Sequence, residues 1–590
     1  MAEIVPGRAM LATYQARWLP KDLVAGLILI ALLVPQGMAY AELAGLPPIT
    51  GLYTSILCLL GYAVFGPSKI LVLGPDSSLG PMIAAVVLPL AAASGDPGRA
   101  VALASALALL VGAITVLAGV AKFGFVADLI SRPTIIGYMN GLALTIIVGQ
   151  LPKLFGFSVE GDGFLREAKG FVLGVVDGET AAAALAVGVL SIVVILSLKR
   201  WAPRAPGVLV AVVLGIGAVV VFDLADHGVS VVGPLPQGFP PFTIPRVELD
   251  DIALLLGGAV GIALVALTDT ISTATSFAAR SGDRVDGNKE MIGIGAANIA
   301  AGLFQGFPVS SSGSRTAVAE QAGAKTQMAG VIGAIGITAI LLLVPGLLRN
   351  LPQPTLAAVV ICAALTLADI KGTRRLYRQR RAEFFLSLAA FLAVVLLGVL
   401  PGILVAVGLS IGNVFRRAWW PYHTVLGRVP GIPGLHDVRS YPDAELLPGC
   451  VIIRFDAPLF FANSRAFREQ VEDLLDDDPA PSWIIIAAEP ITDVDTTAAD
   501  MLADLEKELN NRGINLVFAE MKDPVRSKLD RYNLTSTIDR KNFFPTTKSA
   551  TEAYRATTGV EWSPPPGVSG RVAGETDAPD RPPEPDPTAG

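Results

Sequence analysis

Between residues 23 and 417 the chain is a succession of apolar stretches of roughly 15–25 residues, the length a helix needs to cross about 30 Å of hydrocarbon. In lipid every backbone donor and acceptor must be satisfied inside the chain, so runs of this length fold as helices. Composition agrees: 52% of the residues are apolar and 16% charged, a balance that soluble domains do not show. The first stretch, LVAGLILIALLVPQGMAYAELAGL at 23–46, is too long for a removable signal peptide and lacks a cleavage site, so it reads as a spanning helix.

Spanning helices are expected near 24–44, 51–65, 77–92, 99–120, 126–149, 180–198 and 206–222. A second set follows near 252–277, 290–304, 311–323, 327–345, 354–368, 383–397 and 401–416. Basic residues cluster in alternate connections: Lys199, Arg200 and Arg204; Arg280, Arg284 and Lys289; Arg374, Arg375, Arg378, Arg380 and Arg381; then Arg416 and Arg417. With the N-terminus in the cytoplasm all of them fall inside, and the acidic segment 223–251 falls outside. The expected placement is therefore multi-pass in the cytoplasmic membrane with both termini cytoplasmic. An odd number of spans per set makes the two halves insert with opposite orientations. The fold expected is a polytopic all-α membrane domain of about 14 segments, a 7+7 inverted repeat.

Two short interruptions, GPDSSLG at 74–80 and FPVSSSGSR at 307–315, occupy the third position of each set. Pro75 and Pro308 break helical hydrogen bonding, and the residues before them, ILVLG and LFQGF, can run extended. Such backbone survives at membrane depth only where it is buried in protein or lines a wet cavity. The helix beginning after each break leaves amide donors unpaired and carries about half a positive charge. Ser77 and Ser78 on one side, and Ser310, Ser311, Ser312 and Ser314 on the other, can cap these ends or add donors for an anion, and Arg315 adds a full charge. The plainer alternative is ordinary serine caps and packing kinks. Asp76 is discordant beside an anion; it can cap its own helix, pair with a basic group or be neutral.

The eighth segment carries ALVALTDTISTATSFAA at 263–279. A carboxylate at the bilayer centre costs about 3 kcal/mol, so Asp269 should face a cavity or a partner. Thr273 lies one turn along the same face, with Ser272 and Ser276 expected to extend a polar stripe. Asp269 with Thr273 can supply oxygen ligands to a small hard cation, or Asp269 can carry a proton, or it is simply a satisfied buried acid. Gln36 in the first helix can touch substrate or bond a neighbouring helix.

LVPQGMAYAELAGLPPITGLYTS at 33–55, the GPDSS break, and NIAAGLFQGFPVSSSGSRTAVAEQAGAKTQMAG at 298–330 resemble the signature stretches of the SulP family of inorganic anion transporters, over nearly the whole membrane part. The resemblance implies a core that carries the site, a gate against which it moves, and a homodimer. It also implies substrate held between the third and tenth segments and an acidic residue on the eighth. Asp269 falls at that acidic position, and Ser314 with Arg315 matches the Ser-Arg pair of the tenth. Many members carry Glu there; Asp followed by Thr four residues later resembles the sodium-coupled bicarbonate branch.

After Arg417 charges become frequent and no run could span a bilayer. Buried strands are expected at 451–456, 482–490 and 514–520, and helices near 464–476, 496–512, 523–532 and 547–557, a small soluble α/β domain. It resembles the STAS domain that SulP proteins carry. In related anti-sigma-factor antagonists the hydroxyl matching Thr497 is phosphorylated; here Asp495, Thr496 and Thr497 also read as a plain helix start. The domain boundaries expected are 1–22 N-terminal segment, 23–417 transporter, 418–445 linker, 446–560 STAS domain and 561–590 disordered Pro-rich tail.

Three cysteines far apart, Cys58, Cys362 and Cys450, give neither a disulfide framework nor a metal spacing, and His227, His423 and His436 have no paired nucleophile. No enzyme activity, no cofactor and no nucleic-acid partner is expected; the partners are an inorganic anion, a coupling cation and membrane lipid. A carrier accounts for the repeat, the paired breaks and Asp269 together, whereas a membrane-anchored regulator accounts only for the STAS-like part and a channel needs a continuous polar pore. The expected function is secondary active transport of bicarbonate or sulfate, coupled to sodium or to protons. The alternative is a proton-coupled sulfate permease or an anion exchanger.

Overall fold

The computed structural model describes residues 5–92, 97–124, 131–159, 163–202, 205–282, 284–475, 480–534 and 538–562, and it divides into two compact units, 1–411 and 412–590. The tail beyond 562, the first residues of the helix expected from 126, and Arg204 lie outside the described residues.

The first unit begins with a short helix, α1 (Pro6–Ala12), and continues with seven segments: α2 (Leu19–Leu43), α3 (Pro48–Phe65), strand β1 (Leu73–Gly74) with half-helix α4 (Gly80–Ala92), α5 (Pro97–Val120), α6 (Arg132–Phe155), then past a short α7 (Phe164–Val176), α8 (Ala182–Trp201) and α9 (Gly207–Val221). The second set repeats the order: α10 (Leu249–Ser281), α11 (Gly287–Gly302), β2 (Ser310–Ser311) with α12 (Gly313–Gln321), α13 (Met328–Leu343), α14 (Gln353–Leu367), then past a short α15 (Ile370–Gln379), α16 (Arg381–Leu397) and α17 (Val399–Trp419). Even the intervening short helices, α7 and α15, fall after the fifth segment of each set. Packing follows the same symmetry: α5 packs on α11 and α10 as α13 packs on α3 and α2, and α6 packs on α16 as α8 packs on α14. These are the pairs a two-fold axis in the membrane plane generates. Among the described residues, eight helical stretches are long and apolar enough to cross a membrane on their own, one of them, Gln353–Gln379, being α14 and α15 taken together.

Local chemistry sets the helix ends. Pro48 and Pro133 sit in the first turns of α3 and α6, where a missing N–H costs nothing, and α6 ends on Gly156 at φ +86°. Glu248 and Asp251 form a reciprocal capping box at the start of α10. Small residues let helices touch: a Cβ on Gly51 of α3 would lie 1.9 Å from the Gly37 carbonyl oxygen of α2.

The two breaks cross at the centre of this unit. β1 and β2 pair antiparallel, Leu73 with Ser311 and Gly74 with Ser310. One expectation is corrected: in the second break the extended residues are the serines past Pro308, not LFQGF. The chain ahead of Pro308 is held by side chains instead. The Phe307 amide donates to Thr54 Oγ1 (3.1 Å), and Val309 exchanges hydrogen bonds with the Asn298 amide (2.9 and 3.3 Å).

The second unit is an α/β domain whose six-stranded sheet has the order β4-β3-β5-β6-β7-β8: β3 (His423–Gly427), β4 (His436–Asp437), β5 (Cys450–Phe455), β6 (Trp483–Ala487), β7 (Asn515–Ala519) and β8 (Phe543–Phe544). β5 to β8 are parallel; β3 runs antiparallel to β5 and β4. Helices are α18 (Ser464–Asp473), α19 (Thr496–Asn511), α20 (Asp523–Arg531) and α21 (Thr547–Thr558). Ile484 and Ile486 point into one core with Phe467 and Leu502, while Ile485 points into the other with Val517 and Tyr554. Both faces are covered, which is why SWIIIAA reads as an unbroken apolar run. The expected linker 418–445 is therefore corrected: β3 and β4 make it the antiparallel edge of the sheet. Two short strands joined by a Gly- and Pro-rich turn carry too few alternating residues to announce themselves.

Candidate functional site

Both breaks open on one cavity of ≈ 940 Å³ in the first unit. Gln36, Asp76, Ser77, Asp269, Thr273, Ser311, Ser312, Ser314 and Arg315 all line it, so most of the residues singled out from the sequence share one space. Ile28, Leu32, Gln36 and Tyr40 present one face of α2 to it at successive i, i+4 positions. The Gln36 side chain makes no hydrogen bond among the described residues, and Pro35 beside it withholds a backbone donor from α2.

The start of α12 is what the sequence pattern foretells. Ser312 is its N-cap, with Oγ 3.5 Å from the Arg315 amide and 3.1 Å from Ser314 Oγ. Among the described residues, the amides of Gly313 and Ser314 donate to no group. They are free donors at the positive end of a helix dipole. Ser311 is tied to α10 by long contacts of 3.4 Å, its amide to Thr270 Oγ1 and its hydroxyl to the Asp269 carbonyl oxygen. Ser310 is buried in the β1–β2 pair and faces away from the cavity.

The first break is arranged differently, because Asp76 takes over its cap. Asp76 Oδ1 accepts from the Ser78 amide (2.9 Å) and the Ser78 hydroxyl (2.7 Å), and its carbonyl accepts from the amides of Leu79 and Gly80. Ser78 is accordingly off the cavity wall, whereas Ser77 lines it. The helix starts at Gly80, three residues later than expected, because the Asp76 turn precedes it.

Arg315 is 2% exposed and reaches back across the repeat axis. One terminal nitrogen donates to the Pro75 carbonyl oxygen (2.7 Å); the other stands 3.9 Å from Asp76 Oδ2. That second nitrogen and Nε make no hydrogen bond. A buried guanidinium lining this cavity, with two nitrogens unpaired, places a positive charge that would attract an anion. A Cβ on Gly74 would meet it at 3.3 Å, so glycine keeps that room open.

Asp269 and Thr273 both face the cavity from α10, and Asp269 lies close to Asp76 and to the Ser78 hydroxyl. Ser272 and Ser276 do not extend this stripe. They are exposed on another face, and Ser276 Oγ donates to the Ser272 carbonyl oxygen, the usual way a helix absorbs a hydroxyl in lipid.

The Sulfate permease family matches residues 19–390, and the STAS domain matches 441–550. This chain belongs to the sulfate permease family. A probable sulfate transporter of Mycobacterium tuberculosis is 44% identical over 551 residues, covering 93% of this chain and 98% of that protein. The structure of the murine Solute Carrier 26 family member A9 anion transporter, in its inward-facing state, superposes with a TM-score of 0.87 at 24% identity, covering 94% of each chain. The transmembrane domain of a cyanobacterium bicarbonate transporter superposes with a TM-score of 0.59 at 22% identity, covering 67% of this chain and 99% of that one. The protein is therefore an anion transporter of the sulfate permease family with a C-terminal STAS domain, and not an enzyme.

The cavity also contains residues with no clear signal in the sequence. Tyr40 lies against Ser77, and Lys199, at the end of α8, adds a second cation to the wall. Tyr40 could have been found, being one turn beyond Gln36. In the sequence Lys199 is an orientation signal, and nothing local to it says that α8 ends beside the cavity. Thr270, fully buried against Ser311, carries no signal apart from its neighbour Asp269. In the STAS domain, Thr497 is exposed in the first turn of α19, whose cap is Asp495; the Asp495 carboxylate accepts from the amides of Ala498 (2.8 Å) and Phe461 (2.9 Å).

Proposed function

We propose that this sulfate permease is a secondary active symporter that carries a small inorganic oxyanion into the cytoplasm together with a cation, sodium in preference to a proton. The supporting observation is that one cavity holds the free amides of α12 and the unsatisfied Arg315 guanidinium together with Asp269 and Thr273. In it two cations, Lys199 and Arg315, face two carboxylates, Asp76 and Asp269. An anion arriving alone meets no net attraction from side chains. A cation on Asp269 and Thr273 tips the cavity positive, so each ion raises the other's affinity by the same factor. That mutual dependence is a symporter's coupling, and it is needed because the membrane potential opposes entry of a lone anion.

Sulfate is the first substrate, on the likeness to the mycobacterial sulfate transporter; bicarbonate is the second reading, favoured by Asp269 with Thr273 four residues on. On the proposed orientation both termini and the STAS domain are cytoplasmic, and the STAS domain is regulatory, with Thr497 its modifiable hydroxyl. The deciding measurement is uptake of labelled sulfate and labelled bicarbonate into reconstituted vesicles, with sodium and proton gradients imposed separately. A sodium gradient should drive accumulation in the parent and fail to do so in Asp269→Asn. Equal accumulation by the two proteins would refute the coupling assignment.

A further inference from the structure

α15 is not a spanning segment, and the proposed transport cycle gives it no work. Together with the first residue of α16 it carries Lys371, Arg374, Arg375, Arg378, Arg380 and Arg381. Arg380 is paired with Glu383 at 3.2 Å; the other five are exposed and form no ion pair or hydrogen bond among the described residues. Five unneutralised cations within three turns repel one another, and such an arrangement calls for an anionic surface.

Two observations say which surface. The first is depth. The inner face of α15 is docked on α6: Asn140 accepts from the Asp369 amide (2.7 Å) and donates to Thr373 Oγ1 (2.9 Å), and Leu376 is buried. Asn140 lies about 12 Å along α6 from its first residue, Arg132. α14 covers about 22 Å, short of a bilayer core of about 30 Å. α15 thus begins below the hydrocarbon boundary and climbs through the headgroup layer. The second is the composition of its outer face. Ile370, Arg374, Tyr377 and Arg378 follow i, i+4, i+7, i+8 spacing, with Ile370 74% and Tyr377 56% exposed. An aliphatic and an aromatic anchor interleaved with guanidiniums fits the boundary between acyl chains and phosphates.

We infer that the outer face of α15 is a binding site for anionic phospholipid. Arg374 and Arg378 of that face, with the exposed Arg381 just past the break that ends the helix, hold headgroup phosphates through paired N–H donors, while Ile370 and Tyr377 sit among the acyl chains. The site is separate from the transport cavity, although Thr366 and Leu367, which lead into α15, line that cavity. Steering of the substrate anion is therefore the competing use for these charges.

The test takes the purified full-length protein in phosphatidylcholine vesicles with and without phosphatidylglycerol, and reads the thermal unfolding midpoint, the retention of phosphatidylglycerol by native mass spectrometry, and anion uptake. The parent should retain phosphatidylglycerol and unfold at a higher temperature with it. The triple variant R374Q/R378Q/R381Q should lose about a hundredfold in affinity for that lipid, three surface charges' worth. R374K/R378K/R381K should keep most of it, and the gain should fade at high salt. Equal retention by the parent and the Gln variant would overturn the inference. So would a Gln variant whose KM for the transported anion rises equally in the two vesicle types with lipid retention unchanged. Because retention is read without transport, it can fail or succeed independently of the proposed symport.

Discussion

Asp76 faces two neighbours. It caps α4 through Ser78, and it stands opposite Arg315 at 3.9 Å, partly neutralising the one buried cation that could meet an anion in the cavity. Asn caps a helix as well as Asp does, so Asp76→Asn removes the charge and keeps the fold. We expect the KM for the transported anion to fall about tenfold, about 1.4 kcal/mol, with turnover falling as release slows; uptake kinetics at saturating cation would show it. Arg315→Gln should do the reverse and raise KM, since it leaves a carboxylate unopposed beside the site. Ser314→Trp fills the cavity in front of the free amides of α12, and labelled-anion uptake should be lost while insertion and yield are unchanged. Ser77, Ser312, Ser314 and Arg315 were legible because a Pro-Ser break inside an apolar run has few structural explanations. The Asp76–Arg315 pair was not, because its members are 239 residues apart and each had several partners open to it.

At the scale of elements, close helix packing carries the geometry of the site. α2 brings Gln36 and Tyr40 to the cavity only because Gly51 lets α3 approach the Gly37 carbonyl. Gly51→Ala should therefore cost about 1–3 kcal/mol through overpacking and lower the unfolding midpoint in detergent, with uptake falling alongside as α2 shifts. In the STAS domain, Glu506 of α19 is buried with Oε2 unsatisfied, and burial pushes its carboxyl above the ordinary value of 4.5, partly offset by the hydrogen bond from Asn510. The folded state thus holds this proton to a higher pH than the unfolded chain, and stability falls as pH rises from 4.5 through the raised value. Glu506→Gln should increase hydrogen-exchange protection of the β6 amides at pH 7, and the gain should vanish as pH falls below 4.5. The spanning helices and the three central STAS strands were readable, because burial on all sides or on both faces leaves an apolar run. β3, β4, α7 and α15 were not, being short, exposed on one side and charged or interrupted.

For the whole molecule, the odd number of segments in each set fixes that the two halves run in opposite senses, and the positive-inside bias assigns the sides. On the proposed orientation, Asp226→Cys should react with a membrane-impermeant thiol reagent in intact cells, whereas Arg375→Cys should react only after permeabilisation. Native Cys58, Cys362 and Cys450 are buried and should contribute little background. Equal labelling of the two positions in intact cells would remove the orientation. By itself the sequence determined that this chain spans a membrane, that its halves repeat, and that each half is broken at its third segment, because hydrocarbon leaves the backbone few choices and a break there must serve something. Only the tertiary structure decided that Asp76 is the cap and counter-charge of Arg315, that Lys199 joins the cavity while Ser78 and Ser276 do not, and that α15 docks on α6 through Asn140. Those outcomes depend on which side chains meet across hundreds of residues, and periodicity within one segment carries no record of the partner.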